Sequence, residues 1–359
     1  MHDSKADIDS ISVRAQAARS LVCLLVVLVH VINTAVNAGI RIEDDSLYVY
    51  FIDLFLPIRM PLFACLSGFV YAYQPMKVSD WRGFAGKKIL RLGLPLFLAS
   101  SVTFASLVVI ARLAGAQYGI DAQPDLSSLW RVYIYPLHHL WFLQALLGVI
   151  AIVIVLEALR TLEDFRSWLT VFVLSLVAFA TSPFAGVAIF SLRDVSFLLP
   201  FFLLGLAAYR FRALVLAPKT MHAVGFIFVT TAVLHAIDIS VGHMEFDRTA
   251  LLAAVLGFST VLCILRWMPT TQPFIWLGSY SFSIYLYHFP IIAFVALASE
   301  KLGLRSTPIF VLLSLTLGVL LPIALEAATR KNHTVSLLLL GQYRKPKTLT
   351  PDNRHIEFA

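Results

Sequence analysis

Long apolar runs separated by short polar stretches dominate this chain. Each run approaches the 20 or so residues that a helix needs to cross a bilayer, and there are about ten of them. They lie at 20–38, 48–73, 89–113, 137–157, 167–184, 195–209, 220–240, 249–267, 273–298 and 307–329. The pattern predicts an all-α, polytopic integral membrane protein with about 10 transmembrane helices.

Composition agrees with this fold class. Of the 359 residues, 59% are hydrophobic and 14% are charged, whereas a soluble domain has about 25% charged residues. The three cysteines lie inside apolar runs without metal-ligand spacing, which predicts packing residues and no metal or disulfide framework. The net charge of +7 comes from basic residues scattered between the runs. This distribution suits contact with membrane lipids and argues against nucleic acid as a partner.

Basic residues also predict the orientation. They are concentrated on the side that both termini share, and the positive-inside rule places that side in the cytoplasm. We therefore expect a multi-pass protein of the cytoplasmic (inner) membrane, with a cytoplasmic N-terminal segment at residues 1–18. A transmembrane domain is expected at residues 19–329, and a partly disordered, cytoplasmic basic tail at residues 330–359.

The first apolar run carries the most unusual pair of residues, Arg19 and His30. The eleven helical steps between them amount to about three turns, so both side chains share nearly one face, about 16 Å apart along the axis. His30 is expected near the middle of the bilayer, where an ionisable side chain is costly and often functional. For His30 taken alone, a functional role and a structural hydrogen bond to a neighbouring helix are equally favoured.

Two further stretches carry cations. At the head of the third run, Lys88 and Arg91 are neighbours on one helical face. They could bind an anion such as a pyrophosphate, although topogenic charge is the favoured explanation for the pair alone. In the second run, Arg59 lies between two prolines that predict a kink. An ion pair with Asp53 would explain this cation structurally, and a place in a substrate pocket is the alternative.

The fourth and ninth runs supply aromatic and imidazole groups. Trp141 follows a pair of histidines and suits either an interfacial anchor or a substrate pocket. The histidine pair has no further ligand set, so no metal site is predicted. Tyr285 and His288 belong to a polar stripe that must face other helices or a cavity. His288 is either a pocket residue or a hydrogen-bonded strut, with the strut slightly favoured.

In their order along the chain, these motifs resemble the acyltransferase family 3 membrane proteins, which include O-acetyltransferases of surface carbohydrates (fucose 4-O-acetylase-like enzymes). The resemblance covers about residues 13–329 and rests first on Arg19 with His30, the family's arginine–ten–histidine signature. The supporting stretches are Met60-Pro61-Leu62-Phe63, Leu66-Ser67-Gly68-Phe69, Leu140-Trp141-Phe142-Leu143, Leu277-Gly278 and Ile284-Tyr285-Leu286-Tyr287-His288. Two positions depart from the family pattern. Lys88 stands where arginine is usual, and Gln144 stands where many polysaccharide acetylases have glutamate.

The resemblance implies transfer of an acyl group, most often acetyl, from acyl-CoA to a hydroxyl of a cell-surface or lipid-linked carbohydrate. It implies His30 as general base, Arg19 as a positioning cation, and Lys88 and Arg91 near the CoA phosphates. Transient acylation of His30 is a second possible route. No permanently bound cofactor and no metal are implied. The residues assigned to the substrate pocket are Arg59, Trp141, Tyr285 and His288.

A transporter or flippase for a lipid-linked glycan is the main alternative, because Arg59, His30 and His288 could line a path through the membrane. The chain shows no transporter-type internal repeat and no motif of soluble hydrolases, ATPases or dinucleotide enzymes. The third possibility is a family member that senses a ligand and does not catalyse a reaction. The sequence leaves open the acceptor, the acyl chain and the oligomeric state.

Overall fold

The computed structural model describes residues 2–32, 46–114, 126–241, 251–304 and 306–342, with side chains from residue 9 onward. Within these ranges the regular structure is helical and no strand is formed. The helices are α1 (His2–Ile32), α2 (Leu47–Leu54), α3 (Leu56–Tyr73), α4 (Trp81–Lys88), α5 (Leu94–Ala114), α6 (Arg131–Ile134), α7 (Trp141–Ala158), α8 (Phe165–Thr181), α9 (Leu192–Arg210), α10 (Arg212–Val215), α11 (Pro218–Ser240), α12 (Leu251–Trp267), α13 (Gln272–Gly278), α14 (Ser281–Lys301), α15 (Thr307–Thr329) and α16 (His333–Leu340).

The all-α, polytopic fold predicted from the sequence is confirmed. Among the described residues, eight helical stretches are long and apolar enough to cross a membrane, and two shorter apolar helices, α8 and α12, accompany them. Together they correspond in order to the ten predicted runs. The burial of these helices differs widely. In its most apolar window α14 is 78% buried inside the protein, whereas α11 is only 11% buried. Exposed apolar side chains of this kind suit lipid contact.

The first helix begins earlier than the sequence predicted. It is continuous from His2, and its membrane-spanning candidate begins at Asp9. Ile11, Ala15 and Ala18 in this early part are buried, because α1 lies at the centre of the bundle against α2, α3, α12, α13, α14 and α15. The end of the predicted run lies outside the described residues. In the described part, His30 is close to the end of α1 rather than at its middle.

Two predicted runs are broken into separate helices. The break between α2 and α3 falls at Phe55, just before Pro57, because proline has no N–H and restricts the residue that precedes it. The run predicted at 273–298 is interrupted after Gly278, between α13 and α14. A Cβ atom at Gly278 would meet the backbone carbonyl of Gln16. Glycine therefore lets α13 end in direct contact with α1.

Glycines also set the close packing of α3 against α9. A Cβ atom at Gly68 would meet the carbonyl of Phe202, and one at Gly205 would meet the carbonyl of Cys65. The backbones of α3 and α9 therefore approach each other closely at both glycines. This contact anchors α3, which carries Arg59, to the buried helix α9.

The C-terminal tail, which is predicted to be partly disordered, forms the helix α16 in its described part. Tyr287 on α14 donates a hydrogen bond to the carbonyl of Leu339 on α16, at 2.8 Å. After α16, Gly341 adopts a positive φ of 63°, and a Cβ atom there would meet the backbone of Arg91. The described part of the tail therefore packs onto the head of the third predicted span.

Candidate active site

Two helices bring together two histidines that are far apart in the sequence. The Cys23 thiol on α1 contacts the Ser281 carbonyl on α14 at 3.6 Å. Seven residues further along each helix, Nδ1 of His30 lies 3.2 Å from Nε2 of His288. Because both helices advance by the same number of residues between the two contacts, α1 and α14 run parallel here. The parallel register of α1 and α14 therefore brings His30 and His288 together.

Backbone carbonyls determine which nitrogens of the two rings carry hydrogen. Nδ1 of His30 lies 2.7 Å from the carbonyl of Val26, and Nδ1 of His288 lies 2.8 and 2.9 Å from the carbonyls of Ile284 and Tyr285. Since a carbonyl only accepts, both rings carry hydrogen on Nδ1. Nε2 of His288 then accepts from His30. Nε2 of His30 keeps its lone pair and has no hydrogen bond to any described residue.

A third imidazole, that of His139 at the head of α7, completes the cluster. Its ring centre lies 4.7 Å from that of His288 and 5.7 Å from that of His30. Its Nε2 lies 3.4 Å from the carbonyl of Leu286, which makes Nδ1 the acceptor nitrogen. Nδ1 is buried and has no hydrogen-bond partner among the described residues. An unsatisfied buried acceptor costs about 1–3 kcal/mol, which a donor group on a bound ligand would remove.

The turn before α7 is strained. His138 has a φ of 44°, a left-handed conformation that is uncommon for residues other than glycine and often marks a functional site. The ring of Phe289 on α14 stacks on His138, with ring centres 4.4 Å apart, and lies 5.5 Å from the ring of His30. The turn and Phe289 thus form an apolar wall beside the imidazoles. Sequence reasoning missed His139, although the adjacent histidines before an apolar run were a usable signal.

Tyr285 acts as a strut between the motif stretches. Its hydroxyl donates to the carbonyl of His139 at 2.6 Å, and its ring lies 5.9 Å from those of both Phe63 and Phe142. The Tyr285 side chain therefore connects its own motif stretch with the stretches that contain Phe63 and Phe142. Trp141, also assigned to the pocket, packs its ring against Phe142, with ring centres 6.1 Å apart.

Arg59 is a buried cation near the cluster. Only 8% of its surface is exposed, and its Nε has no hydrogen-bond partner among the described residues. Its charge interacts electrostatically with Asp53. The predicted pairing with Asp53 therefore has a basis in the structure.

Arg19 occupies the same helix as His30 without a break, so the two side chains share nearly one face at about 16 Å separation along the axis. The Arg19 side chain is half-buried and donates from Nη1 to the side-chain oxygen of Gln16, at 3.3 Å. No group of three or more metal-ligating side chains among the described residues has the geometry to hold a metal ion.

Lys88 and Arg91 lie on a different element. Lys88 ends α4, with its Nζ 5.3 Å from the ring centre of Phe84. Arg91 is exposed within the π-helical turn Ile89–Gly93, a local widening often found at functional sites. The turn precedes Pro95, which has no N–H to bond the carbonyl of Arg91. The two cations interact electrostatically with each other, but no described hydrogen bond or ring contact joins either one to His30.

Fold and site together define a multi-pass, all-α membrane protein with an oriented imidazole on its first helix. The family model described as an acyltransferase domain matches residues 13–327, nearly the whole chain. The protein therefore belongs to acyltransferase family 3, and its fold is that of a membrane acyltransferase. No curated protein and no solved structure matches the chain.

Proposed function

We propose that this protein transfers an acyl group, preferably acetyl, from acyl-CoA to a hydroxyl of a cell-surface or lipid-linked carbohydrate, with His30 as general base. One observation carries the proposal. The Val26 carbonyl holds the hydrogen of His30 on Nδ1, so Nε2 presents a lone pair to a reacting group. Family membership supplies the reaction class.

A single nitrogen, Nε2 of His30, takes up the proton and later returns it. Nε2 of His30 accepts the proton of the acceptor hydroxyl while that oxygen attacks the thioester carbonyl carbon. The carbon–sulfur bond then breaks, CoA leaves as a thiolate, and the imidazolium returns its proton to sulfur. Throughout, Nδ1–H stays bonded to Val26 and faces Nε2 of His288. These two acceptors stabilise the positive ring, as the carboxylate does in other histidine-based sites.

The neighbouring groups suit a polyhydroxylated acceptor. The buried acceptor nitrogen of His139 can take a second hydroxyl of the same carbohydrate, which would orient the reacting one. Arg59 is a buried cation, and we assign to it the stabilisation of the oxyanion in the tetrahedral intermediate. Trp141, Tyr285 and His288 complete the proposed pocket, with Tyr285 acting through the backbone of His139.

The donor is proposed to enter from the cytoplasmic side of the inner membrane, where both termini lie. Arg19, Lys88 and Arg91 are cations that suit the CoA phosphates. The extended arm of acyl-CoA would then span the distance of about 16 Å along α1 between Arg19 and His30. The exposed position of Arg91 and its π-helical turn support access from an aqueous phase.

The test uses the purified full chain in nanodiscs, acetyl-CoA labelled in the acetyl group, and a glycan extract of the cell envelope. Release of CoA and base-labile label in the glycan are measured together. We expect acceptor-dependent transfer that falls by about 10²–10⁴-fold in His30→Gln. The matched control is His222→Gln, an exposed histidine on α11, which keeps the rate.

Three outcomes would contradict the proposal. Full activity in His30→Gln would show that His30 is not the base. Acetyl label retained on His30 would show that transfer proceeds through an acyl-histidine intermediate and not directly. Movement of a glycan across vesicles without acyl-CoA, and with no acylated product, would favour a transporter. Mass spectrometry of surface glycans from deletion and wild-type cells identifies the acceptor.

A further inference from the structure

The segment 333–342, which contains α16, is held against several other elements. Tyr287 on α14 donates a hydrogen bond to the carbonyl of Leu339 at 2.8 Å. The helix α16 also packs against α5, α15 and the π-helical turn Ile89–Gly93. The segment therefore connects α14 with the turn that carries Arg91.

A buried carboxylate holds the end of this segment. Glu326 on α15 is only 3% exposed, and its Oε1 accepts a hydrogen bond from Nε2 of Gln342 at 3.1 Å. Its Oε2 accepts from the hydroxyl of Ser283 on α14 at 2.8 Å. Arg330 supplies the positive charge, with Nη2 at 3.2 Å from Oε1. Because a buried carboxylate needs a cation and hydrogen-bond donors, these contacts hold Gln342 beside α14 and α15.

Gly341, the residue before Gln342, lies directly on the backbone of Arg91. Its φ is 63°, a conformation that residues with a side chain rarely adopt. A Cβ atom at Gly341 would meet the α-carbon, the carbonyl carbon and the carbonyl oxygen of Arg91. The positive φ and the missing side chain thus both favour glycine here, and together they let the two backbones touch.

The π-helical turn is a place where support from outside the helix matters. The N–H of Leu94 bonds to the carbonyl of Ile89, and Pro95 has no N–H to bond the carbonyl of Arg91. One hydrogen bond of a regular helix is therefore missing at this turn. The helix α7 also packs against the turn, so loss of contact with Gly341 is expected to loosen the turn and not to unfold the protein.

We propose that the segment 333–342 positions the turn that binds the donor. Gly341 supports the backbone of Arg91, and the exposed Arg91 side chain is thereby held in one direction for a charge-assisted contact to phosphate. Gln342 holds the segment in place through Glu326. Gly341 and Gln342 are therefore positioning residues, which act through Arg91. The inference rests on the proposed role of Arg91 at the CoA phosphates.

The experiment compares Gly341→Ala with Gly303→Ala in the full chain in nanodiscs. Gly303 has a similar φ of 67°, but a Cβ atom there would meet no described atom within 4 Å. The pair therefore separates the contact with Arg91 from backbone strain. Hydrogen exchange at residues 89–93 reports on the turn without any substrate. The KM and kcat for acetyl-CoA report on the donor site, and both are measured again in the Arg91→Gln background.

We expect hydrogen exchange at residues 89–93 to become about tenfold faster in Gly341→Ala. The KM for acetyl-CoA should rise about fivefold at an unchanged kcat. This rise should vanish in the Arg91→Gln background, because the contact that is being positioned is already lost. Gly303→Ala should match the wild type in exchange at residues 89–93 and in KM. If Gly341→Ala does not fold, Gln342→Ala decides, with the same pattern and about threefold changes, because it removes the hydrogen bond to Glu326 and keeps the backbone contact.

Unchanged exchange at residues 89–93 in the folded variant would overturn the positioning role, whatever the activity. An equal rise in KM with and without Arg91→Gln would overturn it as well, because the effect would then not act through Arg91. Faster exchange with a wild-type KM in both Gly341→Ala and Arg91→Gln would instead contradict the proposed donor role of Arg91, while the support of the turn by the segment 333–342 would stand.

Discussion

The two polar regions of α1 handle charge in different ways. Around His30, three imidazoles are packed against backbone carbonyls and an aromatic wall. Around Arg14, three guanidinium groups line a cavity whose described lining contains no acid. Both regions lie on one continuous helix, yet one gathers imidazoles and the other gathers guanidinium-bearing side chains.

The difference follows from the chemistry of the two side chains. An imidazole can be buried in its neutral form, with one nitrogen donating and the other accepting. Neighbouring carbonyls can then fix its hydrogen and leave a reactive lone pair. A guanidinium keeps its charge, so it needs acceptors or water within reach. The two kinds of side chain therefore suit different environments.

The largest expected effect is in the region around His30. His30→Gln should reduce acyl transfer by about 10²–10⁴-fold, because the base is lost. Transfer assays on the purified chain check this. Full transfer activity in His30→Gln would contradict the base assignment.

A smaller effect is expected at His288, which acts through His30. His288→Leu removes the acceptor that faces Nδ1 of His30 and should lower kcat by about 10- to 100-fold. His288→Gln can accept the same hydrogen bond through its amide oxygen and should recover most of that loss. The Kd for acyl-CoA, measured by calorimetry, should be unchanged in both variants. Equal activity losses in the two variants would mean that His288 contributes only to packing.

The donor cations should affect binding more than chemistry. Lys88→Gln and Arg91→Gln are each expected to raise the KM for acetyl-CoA by about tenfold, because a charge-assisted contact to phosphate is lost. Arg82→Gln, an exposed cation on α4, is the matched control. A fall in kcat with an unchanged KM would place these cations outside the donor site.

The smallest functional effect should come from the contact that joins α13 to α1. Gly278→Ala places a Cβ atom against the Gln16 carbonyl and should destabilise the protein by about 1–3 kcal/mol. Gly86→Ala, where a Cβ atom would meet nothing within 4 Å, should be neutral. Chemical unfolding in detergent measures both. An unaffected Gly278→Ala would mean that α13 can move away from α1 without cost.

Local sequence predicted the helices well, because apolar runs of bilayer length leave few other folds. The two prolines of the second run predicted a kink, and the helix breaks at Phe55, just before the first of them. The prediction was weaker where a distant contact decides the local structure. The interruption after Gly278 depends on Gln16, and the fold of α16 depends on Tyr287 and the turn around Arg91.

The sequence by itself determined the all-α membrane fold, the shared face of Arg19 and His30, and the order of motifs that indicates the family, because periodicity and spacing are local properties. Only the tertiary structure decided which residues meet. His139, His288 and His30 come from three separate helical regions, and so do Arg14, Arg212 and Arg266. Helix register and packing bring each set together, and no spacing along the chain encodes either one.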